Sequence, residues 1–283
     1  MGSAAPEGTP GRLSINQMTV KGLSLPELVD ACVEFGVSSV GLWRDPVRAF
    51  GVGAAARLVH DAGLTVSTLC RGGFLTATGP AERAAALDDN RAAVREAAGL
   101  GTDTLVLVCG GLPPGEHDLG AARGRIADAL GSLVPYAADH GVRLAIEPLH
   151  PMFASDRCVV STLEQALDLA EPFPADQVGV CVDTYHVWWD DHAPAQVARA
   201  AEAGRLHAFQ LADWVTPLPE GVLNGRGQLG DGVIDLRGWH ARLDEVGYTG
   251  PVEVELFSDV LWARDGRELL AETVDRYRTH AAP

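Results

Sequence analysis

The chain has 283 residues, 47% of them apolar, and 22 Lys and Arg stand against 38 Asp and Glu for a formal net charge of −16. That balance, with no Lys/Arg cluster, excludes the basic patch that nucleic acid or an anionic membrane requires. No apolar run approaches the roughly 20 residues that span a bilayer, so the expected partner is a small molecule and the expected location the cytoplasm.

The opening MGSAAPEGTPGR has neither a charged n-region nor an apolar h-region, so residues 1–12 read as a disordered or cloning-derived tail. From there, short β-branched runs alternate with longer stretches of helical spacing. Strands are predicted at LSINQM (13–18), SSVGLW (38–43), LTVSTLC (64–70), DTLVLVC (103–109), VRLAIE (142–147), VGVCVD (178–183), LHAFQL (206–211) and PVEVEL (251–256). The first helix is SLPELVDACVEFG, with Ser24 as N-cap, Pro26 in the first turn, Glu27 completing a capping box and Gly36 as the stop. The five cysteines are odd in number, lack CxxC spacing and mostly sit in apolar runs, as Cys70, Cys109 and Cys181 do, which predicts free buried thiols.

Eight strand-then-helix units at this length predict an α/β fold, a single closed (β/α)8 TIM barrel over residues 13–283. A doubly wound open sheet is the alternative, but no GxGxxG or GxxxxGK[ST] follows the first strand. In a barrel, alternate strand residues point inward and functional groups gather at the C-terminal strand ends. Val178, Val180 and Val182 then face the helices and leave Asp183 inside. The same parity turns Glu147, Gln210, Glu253 and Glu255 inward. Glu147, Asp183, Gln210 and Glu255 therefore converge at one mouth. A strand-end acid alone is most simply an ion pair. Three crowded carboxylates raise one another's pKa unless a cation sits among them. Oxygen-rich ligation suits a divalent metal, Mn²⁺ or Mg²⁺ by hardness, with Co²⁺ or Zn²⁺ also accommodated.

The motifs AIEPLHP, VCVDTYHVWW, AFQLADW, GDGVID and VEVELF resemble, in this order along nearly the whole chain, the sugar phosphate isomerase/epimerase-like family of xylose isomerase-like barrels. The resemblance implies a metal held by Glu147, Asp183, Gln210 and Glu255, where Gln210 replaces the histidine of most relatives. A Gln carbonyl can bind a hard cation but is a weaker donor than imidazole. The implied reaction is proton transfer through an enediolate of a sugar or keto-polyol, with Glu147 and Glu255 as base and acid. His186 matches a position that contacts a substrate oxygen. His150, where many ketose epimerases carry Asn, is a further acid/base candidate.

Arg71 and Arg157 are candidates for a substrate carboxylate, carbonyl or phosphate. Trp188, Trp189 and Trp214 could wall a sugar ring or aglycone, although such aromatics most often just pack. The Gly-rich run NGRGQLGDGVID (224–235) reads as a substrate-covering loop, with Asp231 a minor candidate for orienting substrate. An isomerase or epimerase is the first expectation. A lyase on an oxidised sugar, either a dehydratase or a C-glycoside-cleaving enzyme, is the second, and a non-enzymatic protein with a lost metal site is a third. A likeness to endonuclease IV carries little, because the chain has neither a His-rich three-metal cluster nor a basic surface. A homo-oligomer is compatible with the sequence.

Overall fold

The computed structural model describes residues 11–283. Eight parallel strands close into a barrel: β1 (Leu13–Asn16), β2 (Ser39–Trp43), β3 (Thr65–Gly73), β4 (Thr104–Val108), β5 (Arg143–Ile146), β6 (Val178–Asp183), β7 (Leu206–Leu211) and β10 (Val252–Val254). Each predicted run contributes one of these strands. The barrel closes where β1 pairs with β10, placing Leu13 opposite Val252 and Ile15 opposite Val254. Two short strands outside it, β8 (Asp213–Trp214) and β9 (Arg226–Gly227), pair antiparallel. The sequence reading had residues 226–227 in a loop.

Of the expected tail, residues 1–10 lie outside the described residues, and Arg12 departs from the expectation. Its carbonyl accepts from Val252 N (2.8 Å) and its guanidinium holds the Tyr248 carbonyl and Asp244, so it belongs to the barrel. The first helix spans Leu25–Glu34, and the Glu27 carboxylate accepts from both Ser24 N (2.8 Å) and Ser24 Oγ (2.6 Å). Gly36 stops it at φ +73°, a conformation that strains a residue carrying Cβ.

Parity sorts the side chains into two apolar layers. Val178, Val180 and Val182 join the large layer between strands and helices, whereas Cys70, Val106, Ala145, Cys181 and Ala208 meet inside the barrel. Burying each larger aliphatic contributes roughly 1.5–3 kcal/mol, and the inner residues are small because eight strands converge there. All five cysteines are free and buried. Among the described residues no helix is long and apolar enough to cross a membrane.

Beneath the mouth lies a polar layer. The buried Glu253 carboxylate accepts from Asn16 Nδ2 (2.7 Å), Gln210 Nε2 (2.9 Å), Ser67 Oγ (2.6 Å) and Thr68 Oγ1 (2.8 Å). Four donors repay much of its desolvation. Space for it comes from Gly41 on β2, where a Cβ would lie 2.4 Å from the carboxylate.

Candidate active site

The strand ends deliver the converging acids. The backbone N–H of Glu147 donates to Leu107 O (3.0 Å) and that of Glu255 to Leu211 O (3.1 Å), which carries each ladder one residue beyond its strand. Asp183 ends β6 and caps the short helix Thr184–Val187, its Oδ1 accepting from Tyr185 N (2.9 Å). Its Oδ2 is therefore turned inward. His186, on that same turn, brings Nε2 to 3.9 Å from both Glu147 Oε1 and Asp183 Oδ2.

A side chain that the sequence reading missed lies among them. Arg226, on β9 and 4% exposed, places Nη1 2.8 Å from Asp183 Oδ2 and 3.2 Å from Glu255 Oε2, and donates to the Glu255 carbonyl (2.8 Å). Its Nη2 lies 3.3 Å from His186 Nε2. The available signal was one cation between two glycines, Gly225 and Gly227, in a run otherwise free of positive charge. Asp213 holds that run in place. Its carboxylate accepts from the backbone N–H of Trp214 (2.8 Å), Gly230 (3.0 Å), Gly232 (2.9 Å) and Ile234 (3.1 Å). Gly232 must lack a side chain, since a Cβ there would meet Asp213 Oδ1 at 2.2 Å.

Burial pushes the Glu147 carboxyl well above its ordinary pKa, and the charges of Asp183 and Glu255 add to this. Glu255 is pushed up to about 8, again chiefly by burial, with Arg226 acting in the opposite sense. Asp183 is raised by burial against the pull of Arg226. Burial also opposes the charge on Arg226, but Asp183, Glu255 and Glu147 outweigh it and keep the guanidinium protonated. His186 is held neutral, first by burial and then by the Arg226 charge. Both ring nitrogens meet donors: Nδ1 lies 3.3 Å from His150 N and Nε2 lies 3.3 Å from Arg226 Nη2.

Glu147, His186, Arg226 and Glu255, but not the fully buried Asp183, line one cavity of about 240 Å³ together with Arg71 and Arg157, walled by the aromatic rings of Trp43 and Phe257. His150, Trp188 and Asp231 do not line it. His150 stacks on Trp214 (ring centroids 5.1 Å apart) and its Nδ1 accepts from Met152 N (3.3 Å). Trp188 packs on the other side of Trp214, and Trp189 sits edge-on to His150. The expected aromatic wall is thus a packed cluster beside the site. Asp231 is exposed and paired with Arg276 Nη1 (2.6 Å).

The donors suit a divalent cation. Glu147, Asp183 and His186 each offer one ligand atom, all within 4.8 Å of one another, and Asp183 Oδ2 is buried without a hydrogen bond despite the nearby guanidinium. Gln210 is oriented otherwise. Its amide nitrogen faces Glu253 Oε1 (2.9 Å) and Glu255 Oε1 (3.5 Å), while its carbonyl accepts from Cys181 Sγ (3.4 Å). Turning the amide over would set its oxygen against two carboxylates, so in this arrangement Gln210 acts as a donor to the acids.

A family model described as xylose isomerase-like TIM barrel matches residues 29–279. The chain belongs to that family. It superimposes with a TM-score of 0.93 on the crystal structure of protein SMc04130 from Sinorhizobium meliloti 1021, at 45% identity over 97% of this chain and all of that one. It shares the fold of the IolI protein solved with a zinc atom, with a TM-score of 0.81 at 21% identity over 96% of this chain and all of that one. The inosose isomerase of Bacillus subtilis (strain 168) is 30% identical over 136 residues, 46% of this chain and 45% of that protein. A 3-dehydroshikimate dehydratase of Pseudomonas aeruginosa is 33% identical over 186 residues, 64% of this chain and 27% of that one. The chain thus spans about half the length of the curated inosose isomerase it matches.

Proposed function

We propose that this chain is an enzyme that moves a proton on carbon next to a carbonyl in a small polyhydroxylated substrate, as an isomerase or epimerase. The observation that carries the reading is the pair of buried carboxyls, Glu147 and Glu255, facing one cavity with pKa values displaced upward. Burial of the metal-free pair lets Glu255 hold a proton at neutral pH and raises the proton affinity of Glu147, so the two can pass a proton between them and the substrate. Glu147 and Glu255 would take and return the proton. The guanidinium of Arg226 would donate to substrate oxygens and stabilise negative charge as it develops.

Glu147, Asp183 and Glu255, with His186 in reach, would hold a divalent cation, which when bound polarises the carbonyl and acidifies the adjacent C–H. Oxygen donors favour Mn²⁺ or Mg²⁺, and an imidazole among them admits Co²⁺ or Zn²⁺. The cavity of about 240 Å³ gives room for a monosaccharide-sized molecule.

The alignment with a dehydratase favours a second reading, in which the same proton removal is followed by loss of a β-substituent. The test is metal analysis of the purified protein with solvent deuterium exchange into a panel of keto-sugars by wild type, Glu147→Gln and Glu255→Gln. Exchange by wild type that is lost in both variants supports proton transfer, and an isomeric product against an eliminated one separates the two readings. Wild-type exchange that survives in both variants overturns the assignment of Glu147 and Glu255.

A further inference from the structure

Among the described residues, Arg71 and Arg157 line the cavity without an ion pair to any buried carboxylate. Acidic residues outnumber basic ones by 38 to 22, and several arginines elsewhere gather two carboxylates each: Arg44 pairs with Asp89 and Glu96, Arg199 with Asp168 and Glu171, and Arg276 with Asp231 and Glu272. Arg71 has no ion pair among the described residues. Its guanidinium lies over the Phe74 ring, 4.2 Å from the centroid. Among the described residues Arg157 forms an ion pair only with its chain neighbour Asp156, at 3.8 Å, and that carboxylate is 62% exposed.

Both arginines line the cavity that holds Glu147 and Glu255. Arg71 comes from β3 and Arg157 from the segment after β5, so two separate connections bring positive charge to one wall. Burial and then the Arg157 charge lower the pKa of Arg71, which means that the two guanidiniums repel. A neutral sugar would leave that repulsion and the lost hydration of Arg71 only partly offset, by the Phe74 ring and the Glu147 charge. An anionic group between them would offset both with charge-assisted hydrogen bonds.

We propose that the cavity takes a substrate carrying a carboxylate or a phosphate, seated between Arg71 and Arg157 while the carbonyl end of the molecule faces Glu147 and Glu255. The inference rests on the proton-transfer reading for the orientation of the substrate, and on the two arginines alone for its charge. Their planar forks suit the two or three oxygens of either anion.

The test uses three sugars with the same carbonyl and different C6 groups: D-fructose, D-fructose 6-phosphate and D-fructuronate. Binding is measured by calorimetry to wild type, Arg71→Gln, Arg157→Gln and the charge-preserving Arg71→Lys, with thermal unfolding to show that each variant is folded. At least one anionic sugar is expected to bind wild type about tenfold or more tightly than fructose, a preference that falls with added salt. That preference should vanish in Arg71→Gln and Arg157→Gln and return in part in Arg71→Lys. Tighter binding of the phosphate or of the uronate identifies which anion is meant.

Failure of both anionic sugars to outbind fructose, including failure of all three to bind, overturns the proposal. So does a preference that survives in the folded Gln variants. Deuterium exchange on the same sugars keeps the two readings distinct. Arginine-dependent anion binding without exchange overturns proton transfer alone, whereas exchange without anion preference overturns the anionic substrate alone.

Discussion

Replacing Glu255 by glutamine should make the pH dependence of stability shallower while abolishing catalysis. Burial raises the Glu255 carboxyl from 4.5 to about 8, so between those values the folded chain binds a proton that the unfolded chain has released. The stability associated with that proton is fully present below pH 4.5 and is lost as pH rises towards 8. At about 1.4 kcal/mol per pH unit, the shift removes roughly 3 to 4 kcal/mol between pH 5 and pH 8. Glu147 and Asp183 are displaced in the same direction, so the whole cluster steepens the fall. The substituted amide cannot titrate, and without the neighbouring charge the displacement of Glu147 shrinks. Urea unfolding of chelator-treated wild type and Glu255→Gln at half-unit steps from pH 5 to pH 8 reads the difference directly. Wild type should lose several kcal/mol more than the variant across that window. Parallel curves, or a variant equally weakened at every pH, would refute the claim that burial holds a proton on Glu255.

Other outcomes follow from the same geometry. His150→Ala should lower kcat/KM by less than about tenfold, because the ring stacks on Trp214 outside the cavity, whereas loss of a general acid or base costs on the order of a hundredfold or more; a loss of that size would make His150 catalytic. Asp213→Asn sets an amide against backbone donors that now meet a carboxylate, a loss of about 2 kcal/mol or more. Faster proteolysis within 216–234 together with a fall in activity would report the loosened support of Arg226. Gln210→His exchanges a donor to Glu253 and Glu255 for an imidazole ligand. It should tighten Zn²⁺ or Mn²⁺ binding by about tenfold, the scale on which changes around a metal alter affinity; unchanged affinity by calorimetry would show that this position lies outside the ligand set.

The sequence by itself determined the barrel. Strands of the VGVCVD and PVEVEL kind carry a period of two with one apolar set, and Ser24, Glu27 and Gly36 mark the first helix by local chemistry that needs no distant partner. Parity also placed Glu147, Asp183, Gln210 and Glu255 at one end, because closure leaves alternate residues no other direction. Only the tertiary structure decided what meets those acids. Arg226 arrives on a two-residue strand whose pairing with β8 is antiparallel and whose course is fixed by Asp213, a contact between segments that no period in the sequence encodes. The orientation of the Gln210 amide follows from Glu253, which is buried with four donors drawn from three strands. His150 and Trp188 pack into the Trp214 cluster while Trp43 and Phe257 line the cavity. Residues close to a strand end along the chain share its neighbourhood, but the direction of each side chain is set by packing among loops that the chain brings together only when the barrel closes.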